Sequence, residues 1–215
     1  MTLIKSISGI RGTLGGNVGE NLTPIDVVKY AAAYGAWVLS AKKGKKVVVG
    51  RDARISGPMV HELVVNTLIA LGIDVVDAGL STTPTVEMAV VEEKAAGGVI
   101  LTASHNPKQW NALKLLNHKG EFISAADGAM VLELAESNNI AFAGVDQLGS
   151  ITKKDFLPMH IQKILDLPLV KRDIIAAQKF KIAVDAVNSV GGIAVPALLR
   201  ALGVEAIEEI NCEPN

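Results

Sequence analysis

The chain has 215 residues, 49% of them hydrophobic, which is enough to bury one sizeable core and part of a second and excludes a disordered chain. Lys and Arg number 21 against 22 Asp and Glu, so a formal net charge of -1 gives no reason to expect nucleic acid or an anionic membrane as partner, and a small anionic ligand would need local cations. Cys212 is the single cysteine, so no intrachain disulfide can form; with no signal-like start, and Tyr30 to Ala41 shorter than the about 20 apolar residues a bilayer needs, a soluble, cytoplasmic protein is expected.

Helix and strand signals then alternate, the pattern of an α/β domain with a mostly parallel, mixed sheet between two helical layers. Gly9-Ile-Arg-Gly12 reads as a tight turn that aims Arg11 outward. Thr23 can cap a helix with Pro24 at its first position and Asp26 in its first turn, ending near Gly44. Lys46 to Gly50 is the next strand, Pro58 to Leu71 a helix closed by Gly72, and Ile73 to Asp77 a strand. Thr83-Pro84 opens a third helix, and Val99 to Leu101 is a short buried strand that stops at a polar loop. Leu113 to Leu116 and Glu121 to Ile123, joined by Asn117 to Gly120, read as a hairpin, and Ser124 with Asp127 caps a helix that runs to about Ser137. Periodicity lapses over 138 to 151, which places a domain boundary near residue 150. Beyond it come a helical stretch from Lys154 to Leu165, a strand from Phe180 to Val184, a helix over Pro196 to Leu202 and a strand from Glu205 to Ile210, the start of a second, similar α/β domain.

The stretch Thr102-Ala-Ser-His-Asn-Pro107 carries most of the chemical information. It displays a hydroxyl, an imidazole and an amide on consecutive residues at the carboxyl end of a core strand, where open α/β sheets place their ligands. A serine that only caps a turn is the bland alternative. Neither a dinucleotide nor a nucleoside-triphosphate glycine loop is present. His61, His118 and His160 have no paired ligands in sequence and read as packing or surface residues, as do Trp37 and Trp110, although Trp110 is near enough to shape the serine loop. Asn188 to Gly192 reads as a strand-to-helix turn.

Three pieces in order, Ser8-Gly-Ile-Arg-Gly-Thr13, Gly50-Arg-Asp-Ala-Arg-Ile-Ser56 and Thr102 to Pro107 followed by Asn111-Ala-Leu-Lys114, resemble the amino-terminal part of an α-D-phosphohexomutase. That is the superfamily of phosphoglucomutase, phosphomannomutase and phosphoglucosamine mutase. Phe180 to Gly192 is similar to the opening of the family's second domain. The resemblance implies an isomerase in which Ser104 carries a phosphoryl group and passes it to a hexose or hexosamine phosphate. It also implies a sugar bisphosphate as intermediate and activator, with phosphate moving between the 1 and 6 positions.

The same resemblance implies Lys114 as first choice for acid and base, His105 as second, and Arg11 as a phosphate-directed cation. Asn106 and Arg51 would contact phosphate or substrate, and Arg51, Asp52 and Arg54 could brace the serine loop as an ion-pair network. Ser8 stands where some relatives place a substrate-touching tyrosine, a departure that weakens its claim to direct contact. Mg²⁺ would bind through the Ser104 phosphate and an acidic loop Asp-x-Asp-x-Asp-Arg of the second domain, which this sequence does not contain, so these residues alone are expected to be inactive. Glucose, mannose and glucosamine phosphates all stay open as substrates, and the sequence does not set the oligomeric state. Two rivals are a non-catalytic sugar-phosphate binding module and, further off, a serine hydrolase with His105 as base. The latter lacks a Gly-x-Ser-x-Gly elbow around Ser104.

Overall fold

A computed structural model describes residues 1–6, 9–137 and 139–215. In chain order the elements are β1 (Ile4–Ser6), β2 (Gly9–Thr13), α1 (Pro24–Ser40), β3 (Lys46–Arg51), α2 (Gly57–Ala70), β4 (Asp74–Leu80), α3 (Thr83–Glu92), β5 (Gly97–Leu101) and β6 (Trp110–Leu116). They continue as α4 (Ala125–Ser137), a 3₁₀ turn (Val145–Gln147), β7 (Ile151–Lys153), α5 (Leu157–Leu165), α6 (Arg172–Ala177), β8 (Lys181–Asp185), α7 (Gly191–Ala201) and β9 (Ala206–Ile210).

The first seven strands form one mixed sheet in the order β1-β2-β6-β5-β3-β4-β7. Strands β2, β3, β4, β5 and β7 run one way, and β1 and β6 run against them. Period-two alternation sends Val47, Val49, Val99, Leu101, Leu113 and Leu115 to a core under α1, α2 and α4. Val48, Val76, Ile100 and Leu116 face the opposite way, onto α3 and Phe156. The result is the expected three-layer αβα domain with a mostly parallel mixed sheet. Strands β8 and β9 pair in parallel as a separate small sheet beside α7.

Helix α1 starts as its sequence dictates. Thr23 Oγ1 accepts from the Asp26 N–H while the Asp26 carboxylate accepts from the Thr23 N–H, a reciprocal capping box with Pro24 at the first helical position. Deeper along α1, the buried Tyr34 hydroxyl lies 3.1 Å from the Gly98 carbonyl and 2.8 Å from that of Leu116, sharing one proton between two strands. That contact ties the helix to β5, the strand that delivers Ser104. Gly97 makes room for it, since a Cβ there would sit 2.2 Å from the Tyr34 hydroxyl.

Four expectations change. Gly9–Thr13 is a strand, not a turn: Arg11 pairs with Ile4 on one side and Ala112 on the other. Glycine is still needed at position 9, where φ is +112° and a Cβ would lie 2.1 Å from the Leu113 carbonyl oxygen. The hairpin is shorter than expected: Leu116 bridges Phe122, the Asn117 N–H donates to the Glu121 carbonyl and the Ile123 N–H to that of Leu115, whereas Leu113 is already paired with Ile10 of β2. Thr82 rather than Thr83 caps α3, accepting from the Thr85 N–H. Finally, the helix expected from Lys154 begins at Leu157, and 154–156 only connect it to β7, which pairs with β4 through Val75, Val76 and Asp77.

Candidate active site

Ser104 is exposed on the loop that leaves β5, and its backbone is left-handed at φ +54°. A non-glycine residue held there stores strain of order 1 to 3 kcal/mol, so the surroundings must impose the conformation. They do so with several bonds. The Ser104 N–H donates to Thr102 Oγ1 at 3.0 Å, and both the backbone N–H and the side-chain amide of Asn106 donate to the Ala103 carbonyl, at 3.0 and 2.8 Å. The Thr102 N–H still pairs with the Ala112 carbonyl, so the loop grows directly out of the ladder.

Arg54 is the main brace. Its Nη2 donates to the carbonyls of Ser104 (2.8 Å) and Asn106 (2.7 Å), and its Nη1 to those of Pro107 (2.9 Å) and Trp110 (3.0 Å). Its Nε meets Asp52 Oδ2 at 3.2 Å, and Asp52 Oδ1 also accepts the Arg54 N–H. One planar guanidinium thus spends all five of its N–H donors on one carboxylate and four loop carbonyls, a fixed fork that lysine cannot copy. Asp52 is itself held by the end of β5, its N–H donating to the Leu101 carbonyl. Asn111, fully buried, donates to Ser56 Oγ at 2.9 Å and closes the far side of the loop onto the segment before α2.

The Ser104 hydroxyl makes no hydrogen bond among the described residues and faces a cleft of about 290 Å³. Asp52, Arg54, Asn106 and Lys108 line it from the first sheet, and Val187, Asn188 and Ser189 line it from the turn after β8. That turn, read from sequence only as a local connection, is therefore the opposite wall of the cleft. It has its own strain, with Val187 at φ +46° and Asn188 at φ +54°. Asp185 Oδ1 accepts the Val187 N–H at 3.0 Å, and the Asn188 N–H donates to the Asn211 carbonyl at 2.6 Å.

The residues singled out from sequence fall into separate places. Ser104 and Asn106 share the cleft, and His105 is exposed beside them. Arg11 is exposed on β2, level with Ala112 and two strand spacings, about 10 Å, from the Thr102 backbone. Lys114 lies on β6 opposite Ile100, with its Nζ 5.9 Å from the centre of the Phe122 ring. Arg11 and Lys114 project from the α3 side of the sheet, because Ile10 and Leu113 between them point to the other core. There Glu87 of α3 is pushed up by burial and partly drawn back by the Lys114 charge. Neither Arg11 nor Lys114 lines the Ser104 cleft itself. Arg51 turns away from it: Nη1 donates to the Asp52 carbonyl, and the side chain lines a second cavity near β4. Ser8 lies outside the described residues. Sequence reasoning missed Lys108 as a cleft residue and gave Arg54 no more than a share in a network. The only signal for Lys108 was its place next to Pro107.

The residues present do not compose a magnesium site. Among the described residues no three His, Cys, Asp or Glu side chains are placed to hold a metal, and Asp52, the carboxylate in the cleft, is committed to Arg54. A phosphate on Ser104 would add an oxygen donor to such an ion.

Residues 4–140 match the family model for phosphoglucomutase/phosphomannomutase, alpha/beta/alpha domain I. A phosphoglucomutase/phosphomannomutase of Thermococcus kodakarensis is 34% identical over 211 residues, covering 95% of this chain and 45% of the relative. A probable phosphoglucosamine mutase of Pyrococcus horikoshii is 33% identical over 208 residues, covering 97% and 43%. The crystal structure of a phosphoglucomutase/phosphomannomutase family protein from Burkholderia thailandensis superposes with a TM-score of 0.80 at 26% identity, over 100% of this chain and 45% of that one. The chain thus spans less than half the length of these relatives. With the serine loop on its strand, the mixed sheet between helical layers and these matches together, the chain belongs to the phosphoglucomutase/phosphomannomutase family and contains its domain I.

Proposed function

We propose that this chain supplies the phosphoserine half of a phosphohexomutase, moving phosphate reversibly between the 1 and 6 positions of a hexose or hexosamine phosphate. The observation that carries the reading is the exposed, unpartnered Ser104 hydroxyl, held in a left-handed backbone by Arg54 at the carboxyl end of β5. Residues 1–150 then form the phosphoserine domain and 151–215 begin a second. Strand β7 reaches back across that boundary to complete the first sheet.

In the forward step a sugar hydroxyl oxygen attacks the phosphorus of phosphoserine 104, the P–Oγ bond breaks, and the hydroxyl proton passes through a basic side chain to Ser104 Oγ. In the return step Ser104 Oγ attacks the phosphorus at the other end of the bisphosphate, and its proton returns to the sugar oxygen. Lys114 is the first candidate to carry that proton and His105 the second. Lys108, at the cleft, is the first candidate to answer the charge of about −1.5 to −2 that a phosphoryl group brings, and Arg11, two strands away, the second. Asn106 is better suited to shape the loop than to bind substrate, since its amide is turned onto the Ala103 carbonyl. Mg²⁺, for which the described residues gather no cluster of carboxylates, belongs to the complete family enzyme in this reading, and so does turnover. The single cysteine, Cys212, supports a reducing, cytoplasmic setting.

Incubation with glucose 1,6-bisphosphate followed by phosphopeptide mapping tests the proposal. Phosphate is expected on Ser104 and absent from the Ser104→Ala variant. A chain joined to the remaining length of a family enzyme that never acquires phosphate on Ser104, yet folds, would overturn it. In a coupled assay the 215 residues alone are expected to show no mutase turnover.

A further inference from the structure

A second cavity, of about 620 Å³, opens at the carboxyl ends of β3 and β4, beside β7 and the start of α2, with Ile193 of α7 facing it from the small second sheet's layer. Its floor is unusual. The parallel pairing of β3 with β4 slips between Val49 and Gly50, so that Asp77 pairs with Val49, Gly79 pairs with Gly50, and Ala78 is the extra residue. Bulges are rare in parallel pairs and re-aim side chains where they occur. Just before the slip, Asp77 points to the α2 side like Val75, and its side chain is only 8% exposed.

Asp77 Oδ1 accepts from the Gly79 N–H and meets His61 Nε2, each at 2.9 Å. Its Oδ2 has no partner among the described residues, and no fully buried side-chain oxygen lacks one, so Oδ2 is the part of the carboxylate left open to the cavity. Burial pushes this carboxyl up, but the His61 and Gly79 hydrogen bonds and the charges of His61 and Lys153 outweigh it and hold it below the ordinary range. The cavity therefore presents an ionised, directional acceptor. Around the rim stand Arg51, with one of its five donors used on the Asp52 carbonyl, and Lys153, exposed and unpaired among the described residues. Lys154 is already engaged by Glu93, and Asp155 is turned to the Leu157 N–H.

We propose that this cavity is a second binding site, separate from Ser104, for a small phosphorylated polyol. Arg51 and Lys153 take the phosphate, and the ligand's hydroxyls donate to Asp77 Oδ2. A bare anion would be repelled by the carboxylate at the floor, and a polyol without phosphate would leave the two cations unanswered. Both halves of the ligand are thus called for by the lining. The site requires no reaction at Ser104 and stands or falls independently of it.

Titration of the ¹⁵N-labelled protein with glycerol 3-phosphate, and separately with inorganic phosphate, decides the matter. The expected result is saturable shifts of the His61, Gly79 and Lys154 amides, with inorganic phosphate at least ten-fold weaker than glycerol 3-phosphate. Lys153→Met, at an exposed position whose side chain makes no hydrogen bond or ion pair among the described residues, should weaken glycerol 3-phosphate at least ten-fold, and Ser104→Ala should leave these shifts intact. Asp77→Asn should abolish the preference over inorganic phosphate. If Asp77→Asn does not fold, the Lys153→Met and inorganic phosphate comparisons decide alone. Shifts confined to the Ser104 loop, equal affinity for the two ligands, or no change on Lys153→Met would each overturn the proposal.

Discussion

The two walls of the Ser104 cleft are built differently. On one side the serine loop grows from a strand with no exposed residue, between two helical layers, and one arginine fixes four of its carbonyls. On the other, Val187 to Ser189 follows a two-stranded sheet in which Val184, Ala186, Pro196 and Val204 are the buried residues, and local bonds to Asp185 and Asn211 set its shape. Both walls hold left-handed residues that are not glycine. Strain is thus carried by deep packing in one wall and by a few surface bonds in the other. Stability at the cleft is therefore expected to be uneven, with the serine wall opening only on global unfolding and the second wall opening locally.

The largest effect should come from removing the brace. Arg54→Met is expected to cost about 3 kcal/mol in urea unfolding, because Asp52 loses its charge partner and four carbonyls lose a charged donor. Arg54→Lys should recover less than half of it, and full recovery would mean that charge, not the planar fork, holds the loop. Next, Ser104→Gly should be more stable than Ser104→Ala by about 1 kcal/mol, since glycine alone relieves the left-handed backbone. Val187→Gly should likewise stabilise by about 1 kcal/mol or less. It should also slow amide exchange in the 187–189 wall while leaving exchange at Ala103 unchanged, and equal slowing on both sides would erase the contrast between the walls.

The smallest effect is a pH-dependent one at the joint between α3, β3 and β7. Lys154 and Lys46 hydrogen-bond to Glu93 and hold its carboxyl below the ordinary range of about 4.3. A carboxyl with a lowered folded value stabilises the protein above its unfolded value and loses that contribution as pH falls through the folded one. Glu93→Gln should therefore cost about 0.5 kcal/mol at pH 7, reduced by solvent screening of the exposed lysines, and nothing at pH 2. A difference that persisted in acid would assign the effect to packing instead.

Much of the architecture was legible because the chain punctuates itself. Thr23 with Pro24 and Asp26 marks the start of α1 by local chemistry alone, and Val99 to Leu101 could only be a buried strand. Strand β2 was not legible. Gly-Ile-Arg-Gly-Thr has weak strand propensity, and it becomes a strand because β6 offers an edge in register. With Leu113 taken by β2, Glu121 to Ile123 meets only the last residues of β6. Of the site, the serine loop was visible as a motif, whereas Arg54 at its carbonyls and the turn at Val187 depend on pairings across 50 or more positions of chain. No local pattern announces such contacts. Arg51 shows a different kind of limit: a cation three residues before the brace, in the same motif, lines a different cavity.

Because the guanidinium of Arg54 has no hydrogen left to give, the arginine closest to Ser104 is unable to greet an incoming phosphoryl group. Under the proposed phosphoserine reading, neutralisation would fall to side chains standing in water, Lys108 and Arg11, whose attraction fades over a Debye length of about 8 Å at physiological ionic strength. Architecture and electrostatics are consequently decoupled at this serine. Added salt should loosen the hold on phosphate without disturbing the shape of the loop that offers it.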